Sequence, residues 1–480
     1  MPTGTMNTKS WFTRTATKLT TPGILLALVS VTMMLIRLFA RNPVLTLDEA
    51  EQMVLARHLQ FGYPGQPPLY SWLQYVLFQL FGYHLFSLAL LKYLLLYGCL
   101  YFYHQINRLY CRNERMAWCA TVAWALIPAI ALDLMKDNTH SILALLAACM
   151  TWVWLNKPST LPKPLWDLIL GFLFAIGVLA KFNYLLFLLI VTISLFTQPD
   201  KNLKRAGTGI LIGLTVTLIL TSPYLWWLFE HVTLGLQHAY KLVPREKQQW
   251  QGLLELLKSV VYFAAPGLLV MRLFFPARFQ LSTPNPGNIL LGNYLKLSVP
   301  VLSIVTVFFT FRDFETRWLI PILFLYPTFY FSQTRQRKDE RKIAIRFIGL
   351  CLVIQLIYCI VLIHRDHTYR QINRQMTIAG LIKGVDKTCP SPAYLISDTY
   401  WLVGNLFLQY PDTTIILTTA TPSDVHVQKG TKLLLWESRD TPDWVNRYVK
   451  KEGANTTVMS VYNPETTKVL AHYLCIPQAL

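Results

Sequence analysis

About eleven apolar runs of near-spanning length, joined by short polar loops, constrain this chain more than any other feature. They lie near residues 22–40, 84–103, 116–134, 141–156, 165–181, 183–198, 206–228, 253–275, 290–311, 318–332 and 343–364. A helix needs about 20 consecutive apolar residues to cross the hydrocarbon layer. Several runs fall short of that, so one helix pair is also compatible with a re-entrant hairpin. Only 14% of the 480 residues are charged and 53% are hydrophobic, whereas a soluble domain carries roughly 25% charged residues. The net charge of +19 does not indicate a nucleic-acid binder, because the basic residues recur in short loops between apolar runs instead of forming one patch. The expected fold class is an α-helical polytopic membrane protein of about 11 spans with a small C-terminal α/β domain.

Lys and Arg collect in alternate loops: Lys9, Arg14 and Lys18 at the N-terminus, then Arg108, Arg112 and Arg115, then Lys157 and Lys163. The pattern continues with Lys201, Lys204 and Arg205, with Arg272 and Arg278, and with Arg335, Arg337, Lys338, Arg341 and Lys342. The positive-inside rule puts these loops, and the N-terminus, in the cytoplasm and leaves the C-terminus outside. The first run has no small-residue cleavage site and is read as a span, not a signal peptide.

The chemistry changes beyond Ile363, which divides the chain into residues 1–364, the membrane domain, and 365–480, an extracytoplasmic domain. Within the latter, 393–397, 413–417, 432–436 and 456–462 read as strands, and 398–406 and 442–451 as helices, with Asp398 capping the first helix. Such alternation predicts a small α/β domain. Six cysteines fall in or beside apolar runs. Only Cys389 and Cys475 lie in the tail, and in an oxidising compartment these two can pair as a disulfide. No Cys/His zinc spacing is present.

The first outer loop, 41–83, reads as two interfacial helices with a turn at 62–68. It opens with Thr46-Leu47-Asp48-Glu49, and a carboxylate pair at a membrane edge is costly unless it meets water or a partner. Asp48 is the leading candidate for a catalytic base, with Glu49 beside it; capping of the interfacial helix is the alternative. Asp137 lies in a very short outer connection, where it faces Asp48 as a second acid, joins it in holding a divalent metal cation, or caps the next span. His140 follows closely, and Tyr70 and His58 complete a candidate pocket for donor or acceptor. A phosphate leaving group needs cations, for which Lys181, Lys241 and Arg317 are the candidates, with snorkelling to headgroups as the alternative.

In order along the chain stand Asp48-Glu49, Pro67-Pro68-Leu69-Tyr70, Asp137, Gly177 to Lys181-Phe182, Trp226-Trp227 and Arg317-Trp318-Leu319 to Pro321. This arrangement resembles the GT-C class of membrane glycosyltransferases, in particular the bacterial dolichyl-phosphate-mannose protein mannosyltransferase-like group that includes the lipid A aminoarabinose transferase. The resemblance implies an inverting, single-displacement transfer of a sugar from a polyprenyl-phosphate donor to an envelope glycan, lipid or protein acceptor. It places that reaction on the outer face of the bacterial cytoplasmic membrane. It also implies Asp48 as base and Asp137 as a second active-site acid. Two departures stand out. Glu51-Gln52 follow Ala50 where many relatives have aromatic residues or Arg-Tyr, and Gln66 replaces the Lys that some relatives carry before Pro-Pro. The phosphate role thereby shifts towards Lys181, Lys241 or Arg317, and aminoarabinose transfer is not supported. A flippase of lipid-linked sugars predicts related halves and ionisable residues deep in the spans; a non-catalytic scaffold predicts a tail that works alone.

Overall fold

The structure is a computed structural model. It describes residues 20–156, 161–197, 203–236, 249–276, 288–309, 311, 314–418, 430–452 and 457–477. Lys241, with its neighbours Arg245 and Lys247, lies outside the described residues. Helices of eight residues or more are numbered here in chain order: α1 Thr20–Leu35, α2 Leu47–Leu55, α3 Leu69–Phe81, α4 Leu85–Tyr110, α5 Glu114–Val122, α6 Thr139–Asn156, α7 Lys163–Ala180 and α8 Tyr184–Phe196. There follow α9 Leu203–Glu230, α10 Gln249–Phe274, α11 Ile289–Phe308, α12 Glu340–Arg365, α13 Tyr369–Thr388, α14 Tyr400–Phe407 and α15 Asp443–Glu452.

The eleven apolar runs are helical where described, but not all form a helix long enough to cross a membrane. Among the described residues, eight helices are long and apolar enough to cross a membrane, or nine if a bent pair counts as one. The bent pair is Glu114–Leu126 with Ala129–Lys136, turned by 73° at Pro128, whose ring disfavours a helical residue before it. The run 183–198 gives only the 13-residue α8. The run 318–332 breaks into Thr316–Leu319, Ile320–Leu323 and Tyr326–Ser332, with Pro321 and Pro327 opening the latter two. Its side chains are almost all buried among neighbouring helices. Hydropathy alone does not separate a buried apolar stretch from one facing lipid, and the expected count of about eleven is not confirmed: among the described residues eight or nine segments are long and apolar enough.

The two ends of the bundle differ chemically. At one end, Arg112 bonds Glu340 and the Thr334 carbonyl, and Asn113 donates to Glu340 at 2.9 Å, tying the α4–α5 loop to the start of α12. At the other end, Arg41 Nε donates to Asp366 at 3.1 Å and the Asn42 N–H does so at 2.9 Å, tying the end of the first span to the end of α12. The short helices α2 and α3 stand at this second end, and so does the tail.

The tail is a five-stranded sheet of order β2-β1-β3-β5-β4, made of β1 Tyr394–Ser397, β2 Thr414–Leu417, β3 Lys432–Trp436, β4 Met459–Tyr462 and β5 Val469–Ile476. β1 runs parallel to β2 and β3, whereas β5 is antiparallel to β3 and β4. One face of the sheet packs Ile396, Leu434 and Trp436 against Val445 of α15. The other packs against α13 and α14 and continues into the membrane domain, where Leu45, Ala50, Met53 and Phe78 share a cluster with Leu381, Trp401, Leu402 and Leu406. A Cβ at Gly404 would sit 2.5 Å from the Ala50 carbonyl oxygen, so α14 lies directly on α2. The Leu45 N–H donates to Asn405 Oδ1 at 2.8 Å, and Trp401 Nε1 donates to the Leu45 carbonyl at 3.0 Å. The tail is thereby keyed to the turn that carries Asp48. Cys389, just past α13, is disulfide-bonded to Cys475 of β5 across a Cα–Cα distance of 5.8 Å. Strand β5, which carries Cys475, has no counterpart in the strands read from sequence.

Candidate active site

Helix α2 starts with a capping box: Thr46 Oγ1 accepts from the Glu49 N–H at 3.5 Å, and Glu49 Oε2 accepts from the Thr46 N–H at 2.9 Å. Asp48 caps a different helix. Its Oδ2 accepts from the Thr139 N–H at 2.9 Å and from Thr139 Oγ1 at 3.3 Å, at the first turn of α6. Asp137 reciprocates: its Oδ1 accepts from the Asp48 N–H at 3.2 Å and from Thr46 Oγ1 at 3.1 Å, at the first turn of α2. Each aspartate thus accepts hydrogen bonds at the N-terminal end of the other's helix. Asn138 makes the crossing possible by taking a positive φ of 71° between Asp137 and α6. Among the described residues no hydrogen bond is made to Asp48 Oδ1.

The remaining carboxylates divide sharply. Glu49 is held by Arg37, whose Nε and Nη2 donate to its two oxygens at 2.8 and 2.6 Å in a bidentate pair. Desolvation opposes charge on Glu49, but the charge and hydrogen bonds of Arg37 outweigh it and hold the carboxyl down at about 2. Among the described residues Glu51 has no such partner: desolvation first, then the charges of Asp48 and Asp137, push it up to about 8. Asp137 is likewise pushed up, to about 7, by desolvation and then by Asp48, with Lys92 working the other way.

Lys92 is fully enclosed. Its ammonium donates to the carbonyls of Asp137 at 3.2 Å and of Met135 at 3.4 Å. Lys181 follows the last residue of α7, where a Cβ at Gly177 would collide with the Tyr184 ring; only glycine there allows the tight reversal into α8. Its Nζ donates to Ser141 Oγ at 2.7 Å, and its electrostatic neighbours are Arg317, Asp48 and Glu315. Arg317 pairs with Glu315 and donates to Asn138 Oδ1 at 3.3 Å. It also lines an open cleft of about 610 Å³ with Lys136, Asn138, Lys258 and Tyr262.

Tyr70 and His140 are brought together, ring centroids 5.3 Å apart, and Asp48 and Asp137 are electrostatic neighbours of Tyr70. His140 Nδ1 lies 3.3 Å from the Ala180 carbonyl, to which it donates, so Nε2 is the acceptor for the Gln52 amide at 3.2 Å. Gln52 in turn accepts from Ser71 Oγ at 2.8 Å. His58 stands apart on the exposed side of the loop, contributing its carbonyl to the Tyr63 hydroxyl at 2.7 Å. As a cation site, the Asp48–Asp137 pair fits poorly. Each commits one oxygen to a helix N-terminus, Lys92 already brings positive charge to Asp137, and among the described residues no group of three His, Cys, Asp or Glu converges as ligands.

Four charged members of this site, Arg37, Arg41, Glu51 and Lys92, were missing from the residues picked out in the sequence. Arg37 and Lys92 had a signal, being isolated charges inside apolar runs, where such residues are costly without a partner. Glu51 had the helical spacing from Asp48 but resembled a solvated residue. In the tail, Asp398 does not cap α14: the cap position falls to Thr399, and no side chain caps it.

The dolichyl-phosphate-mannose-protein mannosyltransferase family model matches residues 65–227. Lipopolysaccharide core galacturonosyltransferase RgtA of Rhizobium johnstonii is 24% identical over 439 residues, covering 88% of this chain and 87% of that one. RgtB of the same organism is 28% identical over 389 residues, covering 78% of each. The crystal structure of ArnT from Cupriavidus metallidurans bound to undecaprenyl phosphate superposes with a TM-score of 0.62 at 12% identity, over 94% of this chain and 97% of that chain. At that identity the likeness to ArnT is one of fold, and it is the GT-C fold of a multi-pass membrane protein with a small C-terminal sheet domain.

Proposed function

We propose that this chain, a mannosyltransferase-like membrane glycosyltransferase of the GT-C type, transfers a sugar from a polyprenyl-phosphate donor to an envelope acceptor by inverting, single displacement. One observation carries the reading. Asp48 is fixed through Oδ2 to the start of α6 while its Oδ1 takes no hydrogen bond among the described residues, and Lys181 is its cationic neighbour. In an inverting displacement the acceptor oxygen attacks the anomeric carbon from the side opposite the phosphate. A base takes the acceptor's proton as the carbon–oxygen bond forms and the sugar–phosphate bond breaks. Asp48 Oδ1 receives that proton, and Lys181 and Arg317 stabilise the charge left on the polyprenyl phosphate. Asp137, Thr46 and Thr139 position the base, and Lys92 holds the Asp137 loop. Glu49 has both oxygens engaged and serves the fold of the loop.

The names of the two curated relatives support a hexuronic acid, galacturonic acid, as the sugar and a lipopolysaccharide core as the acceptor. The bias of Lys and Arg towards the Arg112–Glu340 end supports an orientation with that end cytoplasmic and with the Asp48 end and the tail outside. The test is a transfer assay in membranes carrying the chain, supplied with radiolabelled polyprenyl-phosphate galacturonic acid or its neutral galactose counterpart. Label from the acidic donor should enter the glycolipid fraction, and Lys181→Ala should raise the donor KM. Absence of label from either donor would overturn the reading.

A further inference from the structure

The turn from Lys136 into α6 gathers three contacts of the site. The Thr139 N–H donates to Asp48 Oδ2 at 2.9 Å, Asn138 Oδ1 accepts from Arg317 at 3.3 Å, and Ser141 Oγ accepts from Lys181 at 2.7 Å. Lys136, Asn138 and Arg317 also line the open cleft of about 610 Å³, a volume in the usual range for a small-molecule site. A cavity able to take a sugar ring thus shares its wall with the turn that holds the base. The charged side chains around this cleft are not equally engaged. Lys258 donates to Glu255 Oε1 at 2.8 Å, and Arg317 pairs with Glu315. Lys136 and Asp133 line the same cleft and form no ion pair or side-chain hydrogen bond among the described residues. The cleft therefore keeps for an occupant one ammonium, which only donates, and one carboxylate, which only accepts.

We propose, on the footing of the transfer reading above, that this cleft selects an acidic donor sugar, with Lys136 on the ring carboxylate and Asp133 on a ring hydroxyl. A hexuronic acid carries its carboxylate on the carbon bonded to the ring oxygen, and the anomeric carbon is bonded to that same oxygen. Carboxylate and phosphate are therefore about one ring width apart, and each needs its own cation. Lys181 and Arg317 serve the phosphate. Lys136, in the same cleft wall as Arg317, is the lining cation left for the carboxylate. Arg317 ties the occupant to the donor, whose phosphate it stabilises, and not to the acceptor. The ring hydroxyls supply the donors that Asp133 needs. A neutral hexose would satisfy Asp133 but leave the Lys136 ammonium without a counter-charge, so the cleft discriminates by charge.

The test is equilibrium binding of radiolabelled polyprenyl-phosphate galacturonic acid and polyprenyl-phosphate galactose to the full chain in lipid nanodiscs, with no acceptor present. Wild type should hold the acidic donor roughly tenfold more tightly than the neutral one, as one charge-assisted hydrogen bond allows. Lys136→Gln should bring the two affinities together by weakening the acidic donor alone, and its unchanged hold on the neutral donor shows the variant folded. Lys136→Arg should restore the preference. Lys258→Gln should keep it, since Glu255 already neutralises that side chain, and Lys181→Ala should weaken both donors alike. No binding or equal binding of the two donors by wild type would overturn the proposal. So would a preference that survives Lys136→Gln, or a loss of both donors in that variant. Because binding is read without acceptor or turnover, a failed transfer assay beside an intact preference would count against the transfer reading and not against Lys136.

Discussion

Adjacent residues in Thr46–Gln52 do unlike work because each meets a different neighbour. Glu49 meets Arg37 and is tied down through both oxygens. Replacing it with Gln should leave the Arg37 guanidinium enclosed without a counter-charge, lowering stability by about 3–5 kcal/mol, as read from unfolding in detergent. Among the described residues, the charges that act on Glu51 are those of Asp48 and Asp137. Its folded carboxyl titrates near 8 against an ordinary value of 4.5, so between those pH values the unfolded chain gives up a proton that the folded chain keeps. Stability from this group is therefore full below pH 4.5 and is lost as pH rises towards 8. Glu51→Gln removes that dependence, and the gap in Tm between variant and wild type should widen in the variant's favour from pH 5 to pH 8. A gap independent of pH would contradict the assignment.

At the scale of elements, the site is a crossing of two helix starts, α2 capped by Asp137 and α6 capped by Asp48. Thr139→Val keeps the backbone contact but removes the second donor to Asp48. It should lower kcat with little change in donor KM, and the loss of a cap-type bond should destabilise by about 0.5–2 kcal/mol. A raised donor KM at unchanged kcat would show that Asp48 needs no positioning from α6. This crossing was half legible in the sequence. The Asp48 and Asp137 carboxylates were visible, and so was the choice between base and cap. That each caps the other's helix depends on Asn138 at positive φ and on contacts between residues some ninety positions apart, for which spacing leaves no trace. The glycine before Lys181 was visible as a motif, whereas its reason, the Tyr184 ring against Gly177, needed the packed helices.

Across the whole molecule, the bundle carries Lys92 and Lys181, and the tail packs on α2 through a shared apolar cluster. The class of fold was plain from the apolar runs; the number of spans was not, since burial by neighbours and burial by lipid select the same residues. Strand β5 escaped notice because His472 and Cys475 interrupt a simple alternation. The Cys389–Cys475 disulfide joins the end of α13 to that strand across 86 residues of sequence. Replacing both cysteines with Ser should lower the tail's stability by about 2–4 kcal/mol and loosen its packing on α2. Mass spectrometry of the non-reduced chain should recover the linked peptides; two free thiols would contradict the pairing.

The central claim, that Asp48 accepts the acceptor's proton, is tested by Asp48→Asn in membranes supplied with a radiolabelled polyprenyl-phosphate sugar. The amide keeps an oxygen to accept from Thr139 but is not a base. Transfer should fall by about 10²–10⁴-fold with the amount of inserted protein and its disulfide unchanged. Transfer at the wild-type rate from a fully inserted Asp48→Asn chain would contradict the account.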